Sequence, residues 1–173
     1  MGRARLGQTG HPGQNERVTP AVDLLRSLGI PHEVLTYHHD PDHPSYGAEA
    51  AEALGVVPES VFKTLLVTLD DGTVAVGVVP VAASLDLKAI AAAAGAKRAR
   101  MTDPVEAERR TGYVVGGISP FGQKRPAPTF VDEWATALDV VHCSGGRRGV
   151  EVAVAPEAFT TALAATFAPI AAW

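Results

Sequence analysis

Val61-Phe62-Lys63-Thr64-Leu65-Leu66-Val67-Thr68-Leu69, Asp70-Asp71-Gly72-Thr73 and Val74-Ala75-Val76-Gly77-Val78-Val79 decide the fold class. Two runs rich in β-branched residues flank a short polar segment containing glycine, which is the composition of a β-hairpin. A hairpin in mid-chain does not suit simple βαβ alternation. Upstream, Thr19-Pro20 reads as a helix start, with threonine as N-cap and proline in the first turn. Val22, Leu24, Leu25 and Leu28 then share a face, and Gly29 closes the helix. Residues 32–38 read as a strand, 39–45 as a turn-rich loop and 47–54 as a short helix ending at Gly55. Downstream, Asp86 caps a helix over 87–94, 99–101 is a short strand, and Asp103-Pro104 opens a helix that stops at Gly112. A Gly/Pro-rich loop covers 116–128. Strands follow at 129–131, 140–143 and 150–154, and a last helix spans 156 to about 167. The expectation is α+β: a mixed, mainly antiparallel, curved sheet with helices outside. No internal repeat is visible.

The chain of 173 residues suits one domain. Residues 1–17 are rich in Gly, Arg and Gln without apolar periodicity and read as a flexible tail, leaving 18–173 as the domain. No apolar run approaches the ~18 residues of a membrane span, and the N-terminus lacks the apolar core of a secretory signal. A single cysteine, Cys143, forms no internal disulfide, and a reducing cytoplasm is the simplest location.

The net charge of −4 argues against nucleic-acid binding by bulk charge. Its distribution is uneven. Residues 18–96 carry three bases (Arg26, Lys63, Lys88) against ten acids, whereas 97–148 carry nine bases against six. Those nine fall as Lys97-Arg98 with Arg100, Arg109-Arg110, Lys124-Arg125 and Arg147-Arg148. Gathered on one face they would meet phosphates; scattered, they are a solvated surface.

Lys63 is the most informative side chain. Alternation puts it on a strand face with Val61, Leu65, Val67 and Leu69, where lost hydration lowers an ammonium pKa. The alternative is a lysine near a strand end that reaches water. Gly116-Gly117 removes side chains where a ligand could approach the backbone, and two adjacent N–H groups could receive an oxyanion; a plain glycine turn is the alternative. The spacing Gly117-x4-Gly122 is followed by Gln123-Lys124 rather than Lys-Ser/Thr, which excludes a phosphate-binding loop of the Walker type. Ser144-Gly145-Gly146-Arg147-Arg148-Gly149 reads as a second flexible, basic loop. The segment from His38 to His43 fits no zinc or calcium pattern and reads as an exposed polar loop. Cys143 reads as a buried strand residue, not a nucleophile.

In order along the chain, Thr19-Pro20-Ala21, Thr36-Tyr37, His39-Asp40-Pro41, Phe62-Lys63-Thr64-Leu65, Leu85-Asp86-Leu87-Lys88, Thr111-Gly112-Tyr113, Gly116-Gly117-Ile118-Ser119-Pro120, Gly122-Gln123-Lys124 and Ser144-Gly145-Gly146 resemble the YbaK/EbsC family of free-standing aminoacyl-tRNA deacylases. The resemblance runs from about Thr19 to the C-terminus. It implies an irregular barrel with flanking helices, similar to the editing domain inserted in bacterial prolyl-tRNA synthetases. It also implies trans-editing of Cys-tRNA(Pro), with Cys-tRNA(Cys) as a further substrate, through attack by the substrate's own thiol. The partners implied are the aminoacylated tRNA end and prolyl-tRNA synthetase, with no cofactor, metal or membrane. Carried over by position, Lys63 and Gly116 are the catalytic candidates. Tyr37, Tyr46, Thr64, Gly117, Ser144 and Glu151 are the substrate-binding candidates. Tyr46 stands where the family usually has phenylalanine, and Glu151 where aspartate is usual. A noncatalytic module binding aminoacyl-tRNA or a synthetase, and an alanine-specific deacylase, are the competing expectations.

Overall fold

The computed structural model describes residues 18–173; the expected tail, 1–17, lies outside them. The elements run α1 (Pro20–Ser27), β1 (His32–Thr36), α2 (Tyr46–Leu54), β2 (Phe62–Leu69), β3 (Val74–Pro80), β4 (Ser84–Leu85), α3 (Leu87–Ala93), β5 (Ala99–Met101) and α4 (Pro104–Thr111). They continue with β6 (Thr129–Asp132), β7 (Val141–Arg147), β8 (Val150–Val154), α5 (Glu157–Leu163), β9 (Thr166–Ala168) and β10 (Ala171–Ala172).

The central hairpin forms as expected. β2 and β3 pair antiparallel from Phe62 opposite Pro80 to Thr68 opposite Val74. The turn closes through Leu69 N–H to Thr73 O at 2.8 Å, and Asp71 accepts the Thr73 N–H at 2.9 Å. Around it a five-stranded sheet runs β5-β2-β3-β6-β9. β3–β6 and β6–β9 are parallel, the remaining pairs antiparallel, so the sheet is mixed. A three-stranded antiparallel sheet, β1-β8-β7, stands beside it, and β10 pairs with β4.

These sheets do not close into a barrel. A single parallel bridge, Val61 to His142, links the five-stranded sheet to β7. Beyond that bridge no ladder joins the two sheets among the described residues, and β7 is further bent by a register shift against β8 between Ser144 and Arg147.

Three helix starts follow the capping residues read from the sequence, Thr19, Asp86 and Asp103; the cap of α2, Ser45, lies in what was expected to be loop, one residue before a helix that begins at Tyr46. Thr19, Ser45, Asp86 and Asp103 each accept a backbone N–H of the first turn of α1, α2, α3 and α4. α1 buries Ala21, Val22 and Leu25, and the Thr19 hydroxyl also donates to Gly145 O, fastening the helix to β7. Two expectations are corrected. The last helix ends at Leu163, because Ala164 turns left-handed (φ 50°) and the chain returns as β9 beside β6. The segment from Ser144 to Arg147 is bulged strand rather than loop, with Gly146 at φ 102°.

The Gly/Pro-rich segment after α4 is irregular but pinned. Phe121 is fully buried and stacks on Phe159 with centroids 5.3 Å apart. Burying such a ring contributes about 2–3 kcal/mol, and the Tyr113 hydroxyl donates to Phe121 O at 2.8 Å. These contacts anchor the segment on both sides of the turn at Gly116. Among the described residues, no helix is long and apolar enough to cross a membrane.

Candidate active site

A cavity of about 380 Å³ lies where the two larger sheets face each other, paired only at the Val61–His142 bridge among the described residues. β2 supplies Lys63 and Thr64, α2 supplies Tyr46, the turn after α4 supplies Gly116, and the β7–β8 pair supplies Ser144 and Glu151. Six of the eight expected residues therefore meet on one wall, although more than a hundred positions separate the first from the last.

Tyr37 and Gly117 are the exceptions. Tyr37 packs against the Ala50, Ala51 and Val61 cluster rather than on the wall. Burial and the nearby Glu151 and Glu49 push its hydroxyl up to about 12, so it stays protonated. Gly117 is spent on structure. A Cβ there would lie 3.0–3.1 Å from the Arg147–Arg148 backbone, and its N–H donates to Val114 O at 2.8 Å. Of the two adjacent N–H groups expected at an oxyanion site, only that of Gly116 has no hydrogen-bond partner among the described residues.

Lys63 is half-buried, and loss of hydration lowers its pKa. Among the described residues no carboxylate pairs with it. Glu151 is 7% exposed, and burial pushes its carboxyl up to about 8, so at neutral pH it is mostly an uncharged acid. Its Oε2 and the Thr64 Oγ1 are buried without a partner among the described residues, and both side chains belong to the cavity wall. Orphaned buried oxygens carry a desolvation penalty that a bound donor relieves. The cavity thus combines an unpaired cation with polar groups awaiting a ligand. It suits a ligand bearing an anion or developing oxyanion together with a hydrogen-bond donor.

The raised Glu151 pKa makes stability pH-dependent. A carboxyl that holds its proton more tightly when folded stabilises the fold fully below its unfolded pKa. That contribution fades as pH rises through the folded value of about 8. Between those limits the ligand-free parent should lose about 1.4 kcal/mol per pH unit relative to Glu151→Gln. Thermal melts of both proteins from pH 5 to 9 check this. A constant difference in Tm would show that Glu151 is not held as the acid.

Sequence spacing missed Glu49. This α2 residue is 5% exposed; it accepts the Asp40 N–H at 2.5 Å and meets His39 Nδ1 at 2.9 Å. Burial alone would raise its carboxyl, but the Asp40 N–H and His39 outweigh it and hold the pKa below the usual range. The loop after β1 is thereby anchored just before Tyr46. A pairing ten residues apart leaves no periodic signal. Cys143 is fully buried, and burial raises its thiol well above the ordinary value, as fits an unreactive strand residue. Among the described residues no cluster of three His, Cys, Asp or Glu side chains is arranged to hold a metal ion.

Hydrogen bonds, two from the backbone and two from a guanidinium, gather three of the four basic pairs near the end of α4. Lys124 N–H donates to Thr111 O and Arg125 N–H to Arg110 O, so Lys124-Arg125 lies against the end of α4. Arg148 reaches Val115 in the turn that follows the same helix.

A fold and wall of this kind define a class. The family model of the aminoacyl-tRNA editing domain matches residues 40–162, and the chain belongs to that family. Its chemistry is deacylation, the cleavage of the ester joining an amino acid to a tRNA end. The chain is 32% identical over 157 residues to EbsC of Enterococcus faecalis, a protein assigned by name to Cys-tRNA(Pro)/Cys-tRNA(Cys) deacylation. That alignment covers 91% of this chain and 95% of the relative. A crystal structure of a hypothetical protein superposes with a TM-score of 0.79 at 26% identity, over 89% of this chain and 100% of its own. Another, assigned to trans-editing for prolyl-tRNA synthetase, superposes with a TM-score of 0.79 over 95% of this chain and 100% of its own. At 23% identity the latter speaks for the fold alone.

Proposed function

We propose that the protein clears Cys-tRNA(Pro) in trans, with Cys-tRNA(Cys) as a second substrate, through attack by the substrate's own thiol. One observation carries the reading: among the described residues, no nucleophile on the cavity wall is hydrogen-bonded to a base, whereas a cation and unsatisfied polar groups are present. Such a wall positions an ester and receives charge; the nucleophile then comes with the substrate.

The thiol sulfur bonds to the carbonyl carbon, and the Gly116 N–H donates to the oxygen as it becomes negative. The carbon–oxygen bond to the ribose breaks, and the thiol proton leaves with the ribose oxygen. The products are free tRNA and a cysteine thiolactone, which water opens. Lys63 meets the ester or the terminal adenosine phosphate. Glu151 accepts from the α-ammonium, whose charge draws the carboxyl toward its ionised form. Tyr46, Thr64 and Ser144 line the space around the side chain. The basic pairs beside α4 meet tRNA phosphates. Prolyl-tRNA synthetase is the implied partner, because it would make the mischarged product: cysteine and proline are similar in size, and a pocket discriminates poorly between near-isosteres.

The test is to charge one tRNA(Pro) with cysteine, serine or alanine and compare single-turnover rates at saturating protein. A thiol of pKa about 8.5 is roughly one-tenth ionised at pH 7.5, whereas a hydroxyl is hardly ionised at all. Cysteine should leave at least ten-fold faster than serine, with alanine slower still. Cys143→Ser should match the parent on all three. Equal rates for cysteine and alanine would overturn thiol attack in favour of an activated water. Tight binding with no turnover of any substrate would make the protein a binding module.

A further inference from the structure

The backbone of Val115 is gripped from both sides by charged side chains. Glu108, on α4, accepts the Val115 N–H at 2.9 Å. Arg148, at the β7–β8 turn, donates to the Val115 carbonyl from Nε at 3.0 Å and from Nη2 at 2.5 Å. The same guanidinium lies 4.8 Å from the centroid of the Tyr46 ring. That ring lies hard against Gly116: a Cβ on Gly116 would fall 2.8 Å from three of its carbons. Arg148, Tyr46 and Gly116 therefore form one contiguous stack.

The turn they grip can flip. Gly117 N–H to Val114 O closes a four-residue turn with Val115 and Gly116 at its centre. Gly116 has φ 87°, the value of the third residue in a type II turn. Types I and II differ by rotation of the central peptide, here Val115–Gly116. A glycine in the third position lets both forms exist at little steric cost. The peptide is trans, so its carbonyl and the Gly116 N–H point in opposite directions. Whatever holds the carbonyl also aims the N–H.

We propose that Arg148 is a positioning residue that latches the Val115–Gly116 peptide in its type II orientation and so keeps the Gly116 N–H available to the ester carbonyl. The latch rests on the reading of Gly116 as the oxyanion donor. It explains why both guanidinium contacts fall on one carbonyl, where a lysine would offer neither the fork nor the flat face that stacks on Tyr46.

Two measurements test it, with Arg148→Ala and Arg148→Lys. The first needs no substrate: the backbone resonances of Val115 and Gly116 in isotope-labelled protein. Both variants should shift the Val115 carbonyl and broaden the Gly116 amide through exchange between the two turn forms. Arg109→Ala, which removes an exposed partner of Glu106, should change neither. Unaltered Val115 and Gly116 signals in Arg148→Ala would overturn the latch.

The second is single-turnover cleavage of Cys-tRNA(Pro). The saturating rate should fall about ten-fold or more in both variants, since a displaced oxyanion donor costs up to ~10²–10³. The concentration for half-saturation should change little. If Arg148 served only as a tRNA phosphate contact, lysine would restore activity and the alanine defect would appear in half-saturation and salt dependence; that result also overturns the proposal. Should the parent cleave no aminoacyl-tRNA, the functional reading fails while the resonances still decide the latch.

Discussion

Gly116→Ala should lower the single-turnover deacylation rate by 10²-fold or more in a protein that still folds. Two independent costs meet at this atom. The residue sits at φ 87°, where a side chain is strained by about 1–2 kcal/mol. The added methyl would also stand 2.8 Å from the Tyr46 ring, inside van der Waals contact. The ring is partly exposed and gives way in part, but the turn must shift with it. Loss of one oxyanion donor costs roughly 10²–10³ in rate. The turn lies at the protein surface, so the penalty should fall on catalysis and leave a cooperative thermal transition. A folded variant with a rate near the parent's would remove Gly116 from the mechanism.

Lys63→Met should cost about 10²-fold in rate, the usual consequence of losing a positioned electrostatic contact, without lowering Tm. The second half of this expectation separates function from structure. Lys63 is half-buried with no carboxylate paired to it among the described residues, and burial depresses its pKa. Holding an unpaired, partly desolvated cation costs stability, so an apolar side chain of similar length should match or improve the fold. A lysine kept for stability would show the opposite pattern, with Tm falling and the rate per folded molecule unchanged. Fluorescence melts and single-turnover kinetics on the same preparation decide between them.

Local chemistry made much of this molecule legible. Thr19, Asp86 and Asp103 announced their helices because a cap needs only a side-chain oxygen and the next few N–H groups. The β2–β3 hairpin was legible because turn and strands are contiguous. Lys63 stood out because a charge interrupts an apolar alternation. Other features depended on distant partners. Strand β9 was hidden in an expected helix, because its pairing partner β6 lies over thirty residues upstream. Glu151 was a candidate only through the family resemblance; its raised pKa follows from burial that the residues near it in sequence do not show.

By itself, then, the sequence determined the hairpin, several helix starts, a lysine set in an apolar strand, and a motif order sufficient to place the chain in its family. Each depends on residues close together along the chain or on an ordered set of short words. Tertiary structure alone decided that the sheets stop short of a closed barrel and leave a cavity, that Gly116 rather than Gly117 has an N–H without a partner among the described residues, and that Arg148 grips Val115. It also set Glu151 as an uncharged acid at neutral pH. These are properties of burial and of pairs that meet only on folding. Desolvation and hydrogen-bond geometry depend on what surrounds a group in space, and sequence spacing does not encode that.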